Sequence, residues 1–517
     1  MTESPTGAYS REELADDARF LAQTLADSHP SPFTGHRNRV AYYRTLEELV
    51  REIPEEGESL ESFYYRVQSF AAALRDGHTT VLAPASLDSD SEERLPLGFR
   101  VVGDQLYVSE VYSEDAELLG GRLLSVGDIE VPELRRRHSR LESADNRYGD
   151  LNYLGRTLAS DQERLQQLLD SSTIEPSATV DCPDGTARTV TLEPVAAETP
   201  VATLEQAVDQ PSTAGEPAYT FLDEDTVLLT LPDCASHREV HEVAAAPGGP
   251  AEDIYDTEET YRRLVGDPVP ESHDEQVADL PSATERLTTL VTEMADAETE
   301  TLVVDTRHNT GGMSLLPYLL IYVLYGWDGI ATAAENQYDA ARVSPLSQDQ
   351  LGEFGHDADS DGATGYDFST YFAGTDQRVE EIRTQLSQLS PTFSAEVESG
   401  EHEARYCPDS VVVVTGPETF SAGMEIPMLL SHLGADIVGV PSSQSPNGPR
   451  DTVLAELPNT GLEVRLSNRY HVFQPAEDGA VLEPDVLLTP ERFDLLDRRA
   501  DASLELAVSY ARGELPL

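Results

Sequence analysis

The sequence predicts an α/β protein whose main part is a largely parallel sheet covered by helices. From residue 217 onward, short apolar β-branched runs alternate with helical segments, and this alternation is typical of parallel sheets. Residues 9–76 carry apolar side chains at helical spacing, which predicts a helical region before the sheet. Residues 94–131 contain short alternating runs separated by Gly-Asp and Gly-Gly turns, which predicts a small β-rich region between the two.

The N-terminal region, 1–85, is predicted to be a helical domain. Its helices correspond to ELADDARFLAQTL, RVAYYRTLEELVREI and SLESFYYRVQSFAAALRD. His29 and Pro30 end the first helix, because a residue before proline avoids the helical conformation. The loop Asp76-Gly77-His78-Thr79 ends the domain, and an extended segment follows it.

The predicted β module spans 93–195. LPLGFRVVGDQLYVSEVY and GGRLLSVGDIEV supply its first strands, and ATVDC and RTVTLEPV form a further pair. A stretch rich in Pro, Ala and Thr, 195–216, is predicted to be a linker. The α/β domain, 216–517, contains the strands TVLLTL, TLVVDTR, VVVV and ADIVGV, and its polar stretch 343–405 has the character of an insertion.

The charge balance excludes a nucleic-acid-binding function. The chain has 95 acidic and 35 basic residues, a formal charge of −60, and every basic residue is arginine. Binding of phosphates requires clustered positive charge, which is missing here. In molar salt the Debye length is only ~3 Å, so carboxylate repulsion is screened. We interpret the charge as adaptation to a salt-rich cytoplasm, since 39% hydrophobic residues in periodic runs argue against a disordered polyacid.

Cysteine usage and the hydrophobic pattern indicate a reducing compartment and no membrane. Cys182, Cys234 and Cys407 are too far apart for a CxxC metal pattern, and their odd number does not suggest a disulfide framework. The N-terminus has no basic and apolar leader pattern, so we expect no signal peptide. The longest apolar run, 315–325, is too short to span a bilayer. We therefore expect a soluble cytoplasmic protein.

Ser421 lies where a strand passes into a helix. The four valines at 411–414 predict a buried strand, a turn follows, and an apolar helical stretch begins near Met424. A serine at this place has a hydroxyl at the carboxyl end of the strand and backbone N–H groups nearby, as in several hydrolases. The alternative is that Ser421 only caps the helix. A capping box would need Glu or Gln at Met424, which is absent.

A second turn, Asp305-Thr306-Arg307-His308-Asn309-Thr310-Gly311-Gly312, also joins a buried strand to a helix. The two glycines allow close approach of the backbone and can turn N–H groups toward an oxyanion. The alternative is an ordinary strand-to-helix connection. Taken alone, the turn does not distinguish between them.

A serine nucleophile needs a base, and the composition restricts the choice. A serine–lysine pair is excluded because the chain has no lysine, so histidine is the natural base, and His78 is a loop histidine. A carboxylate would orient the imidazole. The acidic candidates are Glu425, Glu477, Asp478, Glu483 and Asp485, each of which could equally be surface charge.

One acidic loop has a partial cation-binding pattern. Asp357, Asp359, Asp361 and Gly362 are spaced like the start of a calcium loop, but the twelfth position is Phe368 where a bidentate Glu is needed. A solvated loop is the favoured interpretation.

Several of these stretches together resemble one family, the S41 serine peptidases, which includes tail-specific and tricorn-core members. TLVVDTRHNTGG resembles the family strand followed by Asp-x-Arg-x-Asn-x-Gly-Gly, and VVVVTGPETFSAGMEI resembles its nucleophile strand, turn and helix. LEPDVLLTP resembles the segment that closes the catalytic domain, whereas SHPSPF and ALRDGHTTVL resemble an N-terminal helical region. GGRLLSVGDIEV is similar to the core of a PDZ module. The motifs occur in family order and span most of the chain.

The resemblance implies a ClpP/crotonase-like α/β catalytic domain, preceded by a helical domain and a small β module in the PDZ position. It also implies that Ser421 is the nucleophile. The backbone N–H of Ala422 and that of Gly311 or Gly312 would bind the oxyanion. The expected substrate is a peptide or protein, hydrolysed through an acyl-enzyme without metal or cofactor, and a homo-oligomer is compatible with the family.

The family has two kinds of base, a lysine that follows the serine or a histidine from the N-terminal region. The missing lysine leaves the second, which makes His78 the base and places Asp478 or Glu477 at the position of the acid. Two departures accompany the resemblance: Gly77 stands where a serine precedes the histidine, and His308 replaces a small residue. An inactive peptide-binding relative and a non-peptidase acyl hydrolase therefore remain alternatives.

Overall fold

The computed structural model describes residues 9–84, 87, 93–113, 115–160, 162–169, 176–196, 198–246, 255–335, 337–351, 365–399, 406–474 and 481–515. Within these residues the protein has a mixed α/β fold, as the sequence predicts. The helices are α1 (Arg11–Ser28), α2 (Arg39–Glu52), α3 (Leu60–Ala72), α4 (Val131–His138), α5 (Arg147–Ser160), α6 (Gln162–Leu168), α7 (Arg238–Ala245), α8 (Thr257–Leu264), α9 (His273–Asp279), α10 (Ala283–Ala297), α11 (Leu315–Ala333), α12 (Pro345–Leu351), α13 (Ser369–Phe372), α14 (Thr375–Leu389), α15 (Pro391–Ser399), α16 (Ala422–His432), α17 (Pro490–Leu495) and α18 (Ala502–Ala511).

The strands formed by the described residues belong to four sheets. They are β1 (Thr80–Val81), β2 (Glu93–Arg94), β3 (Leu97–Val102), β4 (Gln105–Val111), β5 (Arg122–Val126), β6 (Ile129–Glu130), β7 (Ser177–Asp181), β8 (Ala187–Thr191), β9 (Val195–Ala196), β10 (Ala202–Thr203), β11 (Ala218–Phe221), β12 (Thr226–Thr230), β13 (Thr301–Asp305), β14 (Tyr338–Val343), β15 (Gly365–Asp367), β16 (Ser410–Thr415), β17 (Asp436–Gly439), β18 (Asn447–Glu456), β19 (Glu463–Val472) and β20 (Val486–Leu487).

The predicted parallel sheet has six strands in the order β11-β12-β13-β16-β17-β20. β11 is antiparallel to β12, and the other pairings are parallel. The runs predicted as strands form β12, β13, β16 and β17. Val412 and Val414 face a core shared with the β module, whereas Val411 and Val413 face helices α10, α11 and α16. Burial on both faces explains why these strands are continuous apolar runs.

The β-rich region forms an antiparallel sheet with the strand order β10-β4-β5-β7-β8, to which β3 and β6 add. The predicted pair ATVDC and RTVTLEPV forms the β7–β8 hairpin. The stretch predicted to be a linker, 195–216, contains β9 and β10, which pair with β2 and β4. This stretch therefore lies along the β module.

The N-terminal helices pack on a C-terminal hairpin formed by β18 and β19. Their shared core includes Leu21, Phe63 and Val464. β1, which follows the histidine loop, adds to β19 in antiparallel register, with Thr80 opposite Arg465. The histidine loop is thus joined to the part of the chain that follows the serine turn.

The stretch 343–405 adds α12, β15, α13, α14 and α15 within its described residues. β15 pairs with β14, and Leu386 and Phe393 enter the core that contains α11. The acidic residues considered as a calcium loop, Asp357, Asp359 and Asp361, lie outside the described residues.

Helix α11 is long and apolar enough to cross a membrane by length and composition, with a mean hydropathy of 1.3 over its most apolar window. However, 67% of that window is buried inside the protein, and the helix is kinked at Gly326, whose φ is 66°. A buried core helix also has these properties.

The buried carboxylate of Asp17 links α1 to the β18–β19 hairpin through hydrogen bonds. Removing this carboxylate should destabilise the fold. Asp17 accepts the backbone N–H groups of Asn459 (2.9 Å) and Thr460 (2.8 Å), and also both of their side-chain donors (2.8 and 2.6 Å). Asp17→Ala leaves these donors unpaired, so we expect the free energy of unfolding to fall by about 3 kcal/mol.

Denaturant unfolding in molar salt measures this effect. The exposed neighbour Asp16 is the matched control, and Asp16→Asn should change the free energy of unfolding by less than about 0.5 kcal/mol. Equal effects of the two substitutions would contradict the assigned role of Asp17.

Candidate active site

The two turns singled out in the sequence lie side by side at the carboxyl edge of the central sheet. β13 and β16 pair in parallel, with Asp305 opposite Val414, so both strands end at the same edge. The N–H and hydroxyl of Thr306 donate to the Val414 carbonyl (3.0 and 2.9 Å). The Thr419 hydroxyl donates in turn to the Thr306 carbonyl (2.8 Å). These bonds fix the glycine turn against the serine turn.

Asp305 and Arg307 form a buried ion pair at the base of the glycine turn. Arg307 Nε and Nη2 donate to the two carboxylate oxygens of Asp305, each at 2.8 Å. Burial raises the pKa of Asp305, but Arg307 more than offsets this effect, so the pKa is lowered and the carboxylate stays ionised. The pair holds the end of β13 and the turn together.

Asn309 supports both turns. Its Nδ2 donates to the Leu231 carbonyl (3.0 Å), and its backbone carbonyl accepts the N–H of Phe420 (2.9 Å). Its Oδ1 accepts the N–H of Gly311 (2.9 Å). The N–H of Gly311 is therefore engaged, and among the described residues the N–H of Gly312 has no hydrogen-bond acceptor. Of the two glycines predicted to bind an oxyanion, Gly312 has the free donor.

Gly311 comes so close to the serine turn that no side chain fits. Its φ is 105°, and a Cβ atom would lie 2.5 Å from Cβ of Ser421 and 3.1 Å from N of Ala422. The carbonyl of Gly311 accepts the N–H of Cys234 (2.7 Å), which fixes the turn from a third segment. A glycine is required here both for the backbone conformation and for the close approach.

Ser421 precedes α16 in a strained conformation. Its φ is 53° and its ψ is −130°, a region that non-glycine residues rarely adopt, and its side chain makes no capping hydrogen bond to any described residue. The backbone N–H of Ser421 donates to Oε1 of Gln444. The N–H of Ala422, next along the chain, has no acceptor among the described residues. Strain of this kind is typical of functional sites.

His78 lies next to the serine turn. Its ring stacks on Phe420, with centroids 4.5 Å apart, and Phe420 directly precedes Ser421. Both ring nitrogens are buried, and neither has a hydrogen-bond partner among the described residues. The structure therefore brings together two residues that are far apart in sequence, without a hydrogen bond between His78 and Ser421.

Asp76 also belongs to the candidate site, although no role was predicted for it from the sequence. Its Oδ1 accepts the backbone N–H of His78 (2.9 Å) and lies 3.8 Å from Nδ1 of that ring. Its Oδ2 contacts Nε2 of His29 (3.0 Å) and accepts the hydroxyl of Thr79 (2.5 Å). Burial raises the pKa of Asp76, but the two histidines outweigh burial and the pKa is lowered. The feature of the sequence that could have identified Asp76 is its position two residues before His78.

Two other carboxylates were also considered as the acid. Glu425 is buried in α16, where it accepts Ser314 Oγ (3.0 Å) and pairs with Arg450 (3.2 Å). Burial raises the pKa of Glu425 despite the opposing effect of Arg450. Asp485 accepts the N–H of Ile437 (2.8 Å) near the start of β17, at the opposite edge of the sheet from Ser421.

The remaining candidates give no structural support for an acid. Glu483 is exposed. Asp478, the preferred candidate, and Glu477 both lie outside the described residues. Asp478 therefore stays a prediction. His308, the departure noted in the glycine turn, is 71% exposed and pairs with Glu418 (2.6 Å).

Two further residues were not predicted because their positions depend on the tertiary fold. Gln444 is fully buried, and its Nε2 has no partner among the described residues. Asp145 is partly exposed, and burial together with the charge of Asp76 raises its pKa to about 6. Both belong to loops without a recognisable pattern.

Adding a methyl group at Gly311 should disrupt the contact between the two turns. Gly311→Ala should lower the free energy of unfolding by about 2 kcal/mol more than Gly266→Ala, because overpacking adds to backbone strain. Gly266 is the matched control, since its φ is 112° and a Cβ atom there would meet nothing within 4 Å. Denaturant unfolding compares the two variants, and equal losses would show that the close approach is unimportant.

Comparison with known proteins gives matches in structure only. No protein-family model and no curated protein matches the chain. Mature CPAF in complex with lactacystin matches with 15% identity over 97% of this chain and 99% of CPAF, with a TM-score of 0.54. A point mutant of CPAF matches with 15% identity, 98% and 99% coverage, and a TM-score of 0.56. The photosystem II D1 C-terminal processing protease matches with 12% identity, 94% and 95% coverage, and a TM-score of 0.39.

CPAF is an S41-family peptidase, so its likeness to this chain agrees, in fold, with the resemblance found in the sequence. At 15% identity the likeness to CPAF concerns the fold, and it extends over nearly the whole length of both chains. The chain thus has the fold of the S41-family peptidases.

Proposed function

We propose that this protein is a serine peptidase that hydrolyses peptides or proteins through an acyl-enzyme on Ser421. One observation carries the proposal: at one edge of the sheet, a strained serine meets two backbone N–H groups and a histidine ring that have no hydrogen-bond partner among the described residues. Such a convergence matches the requirements for nucleophile, oxyanion donors and base. The likeness of the fold to CPAF supports it.

In the proposed reaction, His78 takes the proton of the Ser421 hydroxyl as this oxygen attacks a peptide carbonyl. The oxyanion is bound by the N–H groups of Ala422 and Gly312, each worth roughly 3 kcal/mol of transition-state stabilisation. His78 then protonates the leaving amine, and water hydrolyses the acyl-enzyme. Hydrogen bonds of this kind are often loose before substrate binds, so His78 is expected to approach Ser421 in the complex.

The finer architecture is part of the same proposal. The central sheet and its helices would form a ClpP/crotonase-like catalytic domain, with the antiparallel sheet in the position of a PDZ module. Proton transfer and acyl transfer here use only side chains and backbone groups, so the mechanism requires no metal or cofactor. We further propose that the protein works in a salt-rich cytoplasm, in agreement with its charge of −60.

A peptide-binding protein without activity is the second candidate. A cleft of about 480 Å³ lies between the β module and the central sheet, lined by Phe99 and Arg100 of β3 and Asn152 of α5. Arg100 is partly buried there, and its Nε has no partner among the described residues. The exposed pair of His308 and Glu418 forms another part of its wall. Such a cleft is suited to binding an extended segment.

The proposed function predicts that Ser421→Ala abolishes hydrolysis of fluorescently labelled casein in molar salt. The effect should reach at least about 10³-fold in kcat/KM, because no other group replaces the nucleophile. A fluorophosphonate probe should label the wild type at Ser421 and leave the variant unlabelled, with unchanged circular dichroism. Ser431→Ala, on the same helix, is the matched control and should retain labelling.

Three outcomes would overturn this assignment. Hydrolysis of casein by Ser421→Ala at the wild-type rate would mean that the site is wrong. A wild type that binds peptides but neither cleaves casein nor reacts with the probe would favour the peptide-binding protein. Turnover of esters without turnover of peptides would identify an acyl hydrolase.

The identity of the acid is tested by three substitutions. Asp478→Asn should lower kcat by about 10³-fold or more, because a carboxylate stabilises the imidazolium that forms on His78. Glu477→Gln is the control and should change kcat little. If Asp478→Asn has wild-type activity while Asp76→Asn is inactive and folded, the acid is Asp76 instead.

A further inference from the structure

A carboxylate from the β-rich region joins the two loops that carry the base and the nucleophile. Asp145 lies between α4 and α5, two helices of that region. Its Oδ1 accepts the backbone N–H of Gly77 (2.7 Å), and its Oδ2 accepts the backbone N–H of Ser445 (3.0 Å). A single side chain therefore bridges two loops that are 368 positions apart (445 − 77).

Each end of this bridge is next to a residue of the candidate site. Gly77 is followed by His78, and Ser445 is preceded by Gln444, whose Oε1 accepts the backbone N–H of Ser421. The loop of Gln444 is itself buried and held at Ser442, whose carbonyl accepts Nδ2 of Asn146 (3.0 Å). The chain of contacts runs from His78 through Asp145 to Gln444 and Ser421.

We propose that Asp145 is a positioning residue that sets the distance between the base and the nucleophile. The inference rests on the proposed peptidase function. Neither ring nitrogen of His78 has a hydrogen-bond partner among the described residues, and Nδ1 lies 3.8 Å from Oδ1 of Asp76, so the ring is placed mainly by its backbone and by its contact with Phe420. The backbone on one side of His78 is bound by Asp145 at Gly77, and displacing a catalytic group by about 1 Å can reduce the rate 10²-fold.

The protonation state of Asp145 also affects the bridge between the two loops. Asp76 and His78 face it from the histidine loop, Arg450 from β18 and Tyr153 from α5. Because its pKa is raised to about 6, Asp145 is ionised above pH 6 and gains a proton below it. The ionised carboxylate accepts the backbone N–H groups of both Gly77 and Ser445. Protonation below pH 6 places an O–H donor on the carboxyl group, where it faces the two backbone N–H donors. The bridge between the two loops is weakened as a result.

The test uses a variant that keeps the shape of the side chain and a matched control from the same region. Asp145→Asn should lower kcat for labelled casein at least tenfold, change KM less than threefold, and remove a step near pH 6 from the pH–rate profile. Asp150→Asn is the control: Asp150 binds Arg75, which directly precedes the histidine loop (2.7 and 3.0 Å), but it makes no hydrogen bond to the loop of Gln444 among the described residues. It should keep kcat within threefold and retain the step.

Asp145→Glu keeps the charge but displaces it by one methylene, and it provides the test if Asp145→Asn does not fold. It should retain the step near pH 6 and lose at least fivefold in kcat. Asp145 variants with the kcat and pH profile of the control would overturn the proposal. Failure of the proposed function is recognised separately, because the wild type itself would then show no cleavage and no labelling of Ser421.

Discussion

The short antiparallel pairing between β1 and β19 is the contact on which the candidate site depends. It joins Thr80, two residues after His78, to the last long strand of the chain, and so brings the histidine loop to the serine turn. Closing a loop of this length costs only a few kcal/mol more than closing a short one, because the entropy grows with the logarithm of loop length. The shared core of the N-terminal helices and the hairpin offsets that entropy.

Polar contacts also stabilise the pairing between β1 and β19, and they position the histidine loop. The hydroxyl of Thr79 donates to Asp76 and accepts the N–H of Ser467 from β19 (3.1 Å), so one side chain links the buried carboxylate to the sheet. Asp76 then binds both the backbone of His78 and the ring of His29. The two N-terminal motifs noted in the sequence, His-Pro and Asp-Gly-His-Thr, thus meet at one carboxylate.

Much of the central architecture was predictable because it follows from local patterns. The β-branched runs predicted β12, β13 and β16. Parallel pairing of β13 and β16 then places the turns after Asp305 and Val414 at the same edge of the sheet. Ser421, Gly311 and His78 were identified by motif, and the structure brings them together. The roles of Asp145 and Gln444 were not predictable, because a lone Asp or Gln in a loop has no signature and their partners come from distant segments. Asp478 stays a prediction from family resemblance.

The order of the segments along the chain has a consequence for biosynthesis. Four separated regions contribute to the candidate site: the histidine loop at 76–79, the region around Asp145, the glycine turn at 305–312, and the serine turn with the hairpin that follows it. β19 holds the histidine loop in place, and it is synthesised after Ser421. A ribosome-bound chain that already contains Ser421 therefore still lacks the strand that holds the loop of His78 in position. The candidate site is therefore complete only after β19 has been synthesised and has paired with β1.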